Sequence, residues 1–414
     1  MRKTLSLWLL VPLFSSVVMA QTSAPWTWEK VRARFEQNNP TLQAGKLNID
    51  ESRAQEITAN LRPNPNFSFS GDQIDPFQSQ GPFASFLPLT SMDYLHERRH
   101  KRELRLESAR AGTQIATWQQ ADLHRTLLFN LRNAFVQTLQ AKAVLALAND
   151  NLSYYDEVLR VSAERFKAGD IAQIDLDRLE LQRVQFESDV QTAQVNLRTA
   201  KIQLLTLLND RTPVEQFDVM GPFDFSEQVQ PQEDFRKMAL DTRPDLKATV
   251  QAIEKAKTDH RLAVANGSTD PTFSFDAGRN PPINGYFGVS VSFPLRIFDR
   301  NQGEKLRTQL DISRNERLRD ATEAQVFSDV DSAYATLNSN LALLRPYKEK
   351  YLLQAVRVRD TVSFAYQHGG ASLLDFLNAQ NDYRSVQLNY LNLVGSYLTA
   401  ANQLNLAVGR EVMP

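Results

Sequence analysis

The segment Arg165-Phe166-Lys167-Ala168-Gly169-Asp170 recurs in modified form as Ala365-Tyr366-Gln367-His368-Gly369-Gly370. The two copies lie 200 residues apart (365 − 165), and an acidic residue follows each at the same distance, at Asp175 and Asp375. Glycine adopts the left-handed conformation that commonly ends a helix. We therefore predict that each segment is a tight turn between two long helices.

The similarity between the two halves extends in one order over nearly the whole chain, which indicates duplication of a unit of about 200 residues. Proline and glycine interrupt the pattern between residues 210 and 233. We predict a first repeat over 21–209, a linker over 210–233 and a second repeat over 234–414, each repeat with a helix, a β-hairpin (65–90 or 271–294) and long helices. The other matching pairs are Asn39–Leu42 with Arg243–Leu246, Pro65–Phe69 with Pro271–Phe275, Ala134-Phe135 with Ala333-Tyr334, and Thr199-Ala200 with Thr399-Ala400.

Very long helices are predicted on both sides of each turn. Residues 113–168 contain neither glycine nor proline, and at ~1.5 Å per residue they would extend ~84 Å as one helix. A further run without glycine or proline covers 170–212, and 371–408 has no proline and a single glycine, Gly395. Apolar and small residues recur at alternating spacings of three and four, which is typical of coiled-coil packing. The two seams are Leu123, Leu127, Leu131, Ala134, Thr138, Ala141 and Leu145, and Val326, Val330, Ala333, Leu337, Asn340 and Leu344.

The predicted strands alternate between apolar and small polar residues. This pattern suits either a half-buried antiparallel sheet or a transmembrane barrel with lipid outside and water inside. The loop-like linkers 72–81 and 278–285 predict hairpins, with 83–90 as the partner of the first strand. We favour the barrel, and the residues predicted to face lipid are Phe67, Phe69, Phe273, Phe275, Phe287, Val289, Val291 and Phe293.

Four strands per chain are too few for a closed barrel, which takes about eight or more. Unpaired strand edges are not tolerated in lipid, so the barrel would have to be shared between chains. The predicted fold class is therefore mainly α, with long coiled-coil helices and two β-hairpins per chain that contribute to a shared barrel.

The N-terminus and the composition limit the compartment and the chemistry. Arg2 and Lys3 precede an apolar run over 5–18, which predicts a signal peptide over residues 1–20 with cleavage before Gln21. An uncleaved membrane anchor is the alternative, although the run is short for a spanning helix. The net charge of -1 favours no nucleic-acid partner, and the absence of cysteine excludes disulfides, thiolate metal sites and lipidation of an N-terminal cysteine.

These features together resemble the TolC-like outer-membrane efflux protein family. The resemblance rests on the duplicated unit, the Pro-x-Phe-Ser-Phe strands, the strand end Phe293-Pro294-Leu295, and the turn from Tyr366 to Leu377. It implies a homotrimer with a twelve-stranded barrel in the outer-membrane lipid and a helical tunnel across the periplasm. It also implies a periplasmic adaptor and an inner-membrane pump as partners. Within the family the chain is most similar to outer-membrane subunits of cation-exporting resistance-nodulation-division pumps.

Two candidate sites follow from the resemblance. A carboxylate ring at the periplasmic constriction would include Asp375, with Asn378 at the next ring position and Asp175 as a lesser candidate. The alternative role for Asp375 is local, because Ser372-x-x-Asp375 is a capping box. The candidate adaptor-docking residues at the helix tips are Arg165, Lys167, Gly169, Asp170, Gln367, His368 and Gly369.

His96-Glu97-Arg98-Arg99-His100 matches the zinc-peptidase pattern H-E-x-x-H. The arginines within it and the lack of an evident third ligand favour a basic junction between strand and helix instead. The second repeat has Gly303 near this position, which predicts that the two junctions differ. The isolated His124, His260 and His368 are interpreted as surface or packing residues, and no cofactor, metal or catalytic residue is expected.

The predicted function is a passive export duct for metal cations or drugs, opened by an iris-like shift of its tips and energised by a partner pump. A related alternative is the outer-membrane duct of a type I secretion system. A periplasmic structural coiled coil without a barrel is the alternative from another class, and a zinc peptidase is the third.

Overall fold

The computed structural model describes residues 24–74, 76–77, 79–280 and 282–413. The predicted signal peptide, residues 1–20, lies outside the described residues. The helices are α1 (Trp28–Asn38), α2 (Pro40–Ala59), α3 (Lys101–Lys167), α4 (Gln173–Leu207), α5 (Gln232–Thr242), α6 (Pro244–Asn266), α7 (Gln302–Pro346), α8 (Leu352–Gln367) and α9 (Leu373–Val408). The strands are β1 (Asn66–Asp72), β2 (Leu87–Leu95), β3 (Thr272–Asn280) and β4 (Ile283–Ser292).

The same order of elements occurs twice: two helices, two strands, and a hairpin of long helices. The expectation of a single helix before each pair of strands was wrong, because Pro40 and Pro244 divide it. The residues before them, Asn39 and Arg243, are extended (ψ 118° and 121°), and each proline occupies the first turn of the next helix. Proline disfavours the α conformation in the residue before it, yet fits the first helical position.

The predicted long helix is confirmed and is longer than expected. Helix α3 has 67 residues, or roughly 100 Å at ~1.5 Å per residue, and it runs through Gly112 without interruption. Its counterpart in the second repeat is not continuous. Helix α7 ends at Pro346, a π-helical turn covers Tyr347–Tyr351, and α8 follows.

The two predicted seams are largely confirmed. Leu131, Ala134 and Thr138 are buried on α3, and the members at each end of that seam are partly buried. In the second seam five of the six predicted residues are buried, but Asn340 is only partly so. Leu341 is buried beside it, because the apolar side chain one position along the helix fills the inward-facing place.

The sheet is antiparallel, with strand order β1-β2-β3-β4. The prediction of 83–90 for the second strand was wrong, because β2 begins at Leu87 and ends at Leu95. Phe83 and Phe86 belong to the preceding turns and pack edge to face at 5.9 Å. The ring of Phe86 also fills the space beside Gly71, which has no side chain to occupy it.

The three larger groups of buried residues in the described part of the chain are two repeat cores and one cluster at the helix tips. A first-repeat core joins α1, α3 and α4 around Phe35, Leu131 and Leu204. A second-repeat core joins α5, α7 and α9 around Phe235, Leu337 and Leu404. The tip cluster, far along the helical hairpins, contains Tyr155, Val158, Leu179, Phe186, Tyr366 and Phe376. No helix in the described part of the chain has a stretch both long and apolar enough to span a membrane.

Candidate functional site

The sheet brings the predicted apolar residues together on one face. Directly paired residues share a face, and the register pairs Phe67 with Met92, Met92 with Phe275, and Phe275 with Val289. Seven of the eight predicted residues lie on this face within strands, and Phe293 follows the end of β4. The face is open in the single chain, with Phe67 70% exposed and Val289 84% exposed.

The opposite face is mainly polar. One row across the strands is Ser68, Ser91, Asp276 and Gly288, and the next contains Asp93, Ser274 and Ser290. The row toward the hairpin loops of the sheet breaks this pattern, because Leu89 and Tyr286 lie on either side of Gly278. A Cβ added at Gly278 would lie 3.2 Å from both side chains. The sequence signal for this break is β2 itself, where Leu87 and Leu89 lie on one face and Met92 and Tyr94 on the other.

The H-E-x-x-H pattern does not form a helical metal site. Helix α3 begins at Lys101, after both histidines, and His100 has a left-handed backbone (φ 56°). Glu97 is paired with Arg105, and the backbone N–H of His96 donates to the Pro271 carbonyl. Among the described residues no group of three potential ligands is positioned to hold a metal ion. The interpretation as a junction between strand and helix is confirmed.

The two junctions are more alike than predicted. A left-handed residue precedes each long helix, His100 before α3 and Asn301 before α7. Gly303 lies within α7, where nothing would contact an added Cβ. The difference is Arg99, which gives the first junction a second consecutive left-handed residue (φ 60°). That junction is held by Lys101 Nζ, which bonds Asp270 Oδ2 at 2.6 Å.

The predicted turns at the hairpin tips are confirmed. Gly169 and Gly369 have φ values of +85° and +76°. Residues that carry a Cβ rarely adopt this backbone conformation. The N–H of Asp170 donates to the Arg165 carbonyl at 2.9 Å, and that of Gly370 donates to the Ala365 carbonyl at 2.7 Å. These bonds close the helix ends in the manner of a Schellman motif. The predicted tip residues Lys167, Gly169, Asp170, His368 and Gly369 are exposed, and Gln367 is half-buried.

Arg165 differs from the other predicted docking residues because it joins the two tips. Its Nη1 donates to the backbone carbonyl of Tyr366 at 2.8 Å, and its guanidinium lies 5.5 Å from the centre of the Tyr366 ring. The Tyr366 ring stacks on Phe376 in turn, at 5.0 Å. Burial raises the pKa of Tyr366, so the phenol stays neutral and packs as part of the tip cluster.

Asp375 forms the predicted capping box. Ser372 Oγ accepts from the N–H of Asp375 and Asp375 Oδ2 accepts from the N–H of Ser372, both at 3.2 Å. The hydrogen bonds from Ser372 lower the pKa of Asp375, so the carboxyl is ionised at neutral pH. Its side chain is nevertheless exposed, as is Asn378 one turn later. Asp175 holds the equivalent place on α4, where the N-cap is Ala172 and lacks a capping oxygen.

Several contacts between the two hairpins were not predicted. The Arg359 guanidinium lies between the rings of Tyr154 and Tyr383, 4.8 and 4.1 Å from their centres. Arg384 Nη1 on α9 bonds Asp189 Oδ2 on α4 at 2.7 Å. This ion pair borders a cleft of about 510 Å³ lined by α3, α4 and α9. A local sequence pattern cannot predict such pairs, because their members are about 200 residues apart in the chain.

The comparisons with known proteins agree with this architecture. Residues 236–410 match the family model described as outer membrane efflux protein. The chain is 22% identical over 410 residues to the cobalt-zinc-cadmium resistance protein CzcC of Cupriavidus metallidurans, covering 97% of this chain and 93% of that protein. Residues 236–410, within the second repeat, are thus similar to the outer membrane efflux protein family.

Solved structures of outer-membrane efflux channels have the same fold. The crystal structure of CusC matches with a TM-score of 0.78 at 18% identity, over 92% of each chain. The open state of the Neisseria gonorrhoeae MtrE outer membrane channel matches with a TM-score of 0.76 at 18% identity, over 93% of this chain and 89% of that one. The predicted family and the mainly helical fold class with its small sheet are thereby confirmed. The outer membrane efflux proteins are channel proteins of the outer membrane.

Proposed function

We propose that this protein is the passive exit duct of a tripartite system. In this proposal an inner-membrane pump of the resistance-nodulation-division type supplies the energy, and a periplasmic adaptor connects the pump to the duct. The chain itself contributes a path and a gate, with no catalytic step and no cofactor.

The observation that carries the proposal is the two-faced, open sheet. One face presents Phe67, Phe275 and Val289 to the surroundings, and the other presents serines and the carboxyls of Asp93 and Asp276. A water-soluble sheet of this size would cover its apolar face with helices. A barrel wall with lipid on one side and water on the other needs the arrangement that the sheet has.

A homotrimer would close the barrel. The unpaired edges of β1 and β4 cannot stay open in lipid, and three copies of a four-stranded sheet would give twelve strands. The long hairpins would then continue the path into the periplasm as a tunnel of helices. Phe67, Phe69, Phe273, Phe275, Phe287, Val289, Val291 and Phe293 would face lipid.

The tips and the capping carboxyls would form the periplasmic end. In the trimer, exposed Asp375 side chains would lie around the axis, with Asn378 one turn further along and Asp175 nearby. Lys167, Gly169, Asp170, Gln367, His368 and Gly369 would meet the adaptor. Arg165 would contribute to that surface by holding the tips together. The similarity to CzcC, whose name refers to cobalt, zinc and cadmium resistance, favours metal cations as the cargo.

The structural coiled coil without a barrel leaves the exposed apolar face of the sheet without a role. Two measurements on the full-length protein separate the alternatives. The duct requires trimers in detergent that resist heating and ion conductance after reconstitution into planar bilayers. A monomer that remains soluble without detergent and conducts nothing would refute the duct. Loss of cation resistance on gene deletion, with drug resistance unchanged, would support the metal cargo.

A further inference from the structure

The two repeats carry opposite charges at one equivalent position. Helices α1 and α5 match at an offset of 204 residues at both ends, so Arg32 corresponds to Arg236. In the cores α3 and α7 match at an offset of 199, so Arg132 corresponds to Asp331. The Asp331 carboxylate accepts two hydrogen bonds from the Arg236 guanidinium, at 2.8 and 2.6 Å. In the first repeat a second guanidinium replaces that carboxylate.

Arg132 is a half-buried cation on α3 without a counter-ion. Within the described chain its side chain forms no hydrogen bond or ion pair, and its guanidinium lies 4.4 Å from the centre of the Trp28 ring. Burial is the main cause that lowers the pKa of Arg132, and repulsion by Arg32 lowers this pKa further. The carboxylates of Glu411 and Glu29 raise it only through space. Arginine keeps its charge in proteins, and a charge withdrawn from water without a partner is costly.

Arg132 lines a cleft of about 750 Å³ between α1, α2, α3 and the end of α9. A cleft of this size suits a small molecule. Trp28, Leu128 and Phe129 supply an apolar wall. Apart from His124, the charged lining consists of one carboxylate, Glu411, and five cations: Arg32, Lys46, Arg125, Arg132 and Arg410.

Two of these five cations have carboxylate partners in the described part of the chain. Arg125 bonds Asp122 at 2.5 Å. Arg32 bonds Glu36 at 3.0 Å and Glu411 at 3.4 Å. The other three cations have no carboxylate within ion-pair distance among the described residues. The cleft therefore has a surplus of positive charge around an apolar wall.

We propose that this cleft binds a small multivalent oxyanion, with one carboxylate or phosphate group between Arg32 and Arg132. The oxyanion accepts from Arg32 as the carboxylate of the second repeat accepts from its own arginine. It also supplies the counter-ion that Arg132 lacks. Guanidinium groups bind carboxylates and phosphates through two parallel hydrogen bonds. Lys46 and Arg410, which are exposed at the rim, meet the remaining charges of the ligand.

Isothermal titration calorimetry on the full-length protein in detergent tests the site with two probes, citrate for carboxylates and pyrophosphate for phosphates. At least one of them should bind saturably, with one anion per chain, and the tighter probe identifies the class of oxyanion. Trimethyl citrate keeps the carbon skeleton without the charges and should not bind. Saturable binding of neither anion, or equal affinity for citrate and its trimethyl ester, would overturn the proposal.

Two variants test the position of the oxyanion in opposite directions. Arg132→Asp restores the charge arrangement of the second repeat, with a carboxylate opposite Arg32, and should weaken binding by at least about tenfold. Glu411→Gln removes the carboxylate that competes for Arg32 and should tighten binding about two- to fivefold. The Glu411 side chain is 50% exposed, so this variant should fold even if Arg132→Asp does not. Lys237→Gln, at an exposed position on α5, is the control and should leave the affinity unchanged.

Unchanged affinity in a folded Arg132→Asp variant would overturn the site, as would an affinity of Glu411→Gln no higher than that of the parent protein. The same loss of affinity in Lys237→Gln would show that anions bind the surface without a specific site. The readout needs no channel activity, so failure of the proposed function leaves it valid.

Discussion

Arg165 of the first repeat holds Tyr366 of the second, with a 2.8 Å hydrogen bond to its backbone carbonyl and a guanidinium over its ring. The two residues occupy nearly equivalent places in the two tip segments, separated by 201 residues in the chain. The hairpin tips are therefore one unit, and a partner that displaces one tip must either move the other or break this contact.

Loss of this contact should loosen the tips. Arg165→Ala removes a net hydrogen bond worth about 1 kcal/mol and a cation–π contact worth about 0.5–1 kcal/mol. Limited proteolysis at the tips should then be roughly tenfold faster, since ~1.4 kcal/mol corresponds to a factor of ten. Lys167→Ala is the matched control, because within the described residues Lys167 bonds only Glu164 on its own helix. Equal cleavage rates for the two variants would contradict the link.

The apolar face of the sheet should not tolerate a charged side chain. Val291→Arg should impair barrel assembly by about 2–4 kcal/mol if Val291 lies near the bilayer midplane. Ser290→Arg, one residue away on the polar face, should be far milder. The measurement is the yield of heat-resistant trimers in isolated outer membranes. Similar yields from both variants would show that the faces are assigned wrongly.

The left-handed glycines of the tips should resist substitution. Gly169→Val or Gly369→Val forces a β-branched residue into a conformation that costs about 1–2 kcal/mol even for unbranched residues. Export should fall in a resistance assay while trimers remain in the membrane. Gly303→Val is the control, because Gly303 is helical and nothing lies near its missing side chain. Full resistance with the tip variants would argue against the tips as the docking site.

The gate assignment predicts cation binding by a ring of carboxylates. Asp375→Asn removes three charges from a proposed trimer, so block of conductance by a trivalent cation from the periplasmic side should weaken markedly. Asn378→Asp should strengthen the block by adding three charges. Ser372→Ala distinguishes the gating role of Asp375 from its capping role, because it removes the capping oxygen and keeps the Asp375 charge. Block that is unchanged in Asp375→Asn would leave Asp375 with the capping role alone.

Stability should depend on a buried ion cluster and on pH. Arg243, with a side chain only 4% exposed, bonds Asp245 at 2.5 Å and Asp329 at 2.7 Å. Burial opposes the charge of Asp245, but the hydrogen bonds and charge of Arg243 keep the pKa of this carboxyl below its ordinary value of 3.8. The folded chain thus binds fewer protons here than the unfolded chain, and this stabilisation is lost as pH falls below about 4.

Arg243→Met should therefore destabilise the fold by about 1–3 kcal/mol at pH 7, because the partly buried Asp245 loses its main partner and keeps the longer contact with Arg125, at 3.7 Å. The cost should shrink at pH 3, where the Asp245 carboxyl of the variant takes up a proton. Arg236→Met removes a more exposed pair with Asp331 and should cost far less than Arg243→Met. Chemical denaturation in detergent at both pH values measures these differences. A cost for Arg243→Met that does not depend on pH would rule out the titration of Asp245 as its source.

The sequence determined the elements and their order, because each follows from local chemistry. Breaker-free runs at spacings of three and four form helices, Gly169 and Gly369 end them, and the alternation around Phe275 and Val289 forms two-faced strands. Ser372 and Asp375 cap a helix because they are three residues apart. The repeats could be found by inspection, since side chains that hold equivalent places in two units stay similar.

The tertiary structure decided what local patterns leave open. The end of β2 at Leu95 depends on pairing with Thr272, and the burial of Leu341 in place of Asn340 depends on the helix opposite. The pairs Arg165 with Tyr366 and Arg384 with Asp189 depend on how two hairpins meet. The π turn at Tyr347–Tyr351 follows Pro346, but a proline by itself does not specify a π turn. In each case the energy comes from partners distant in the chain, and spacing along the sequence carries no information about which of them will meet.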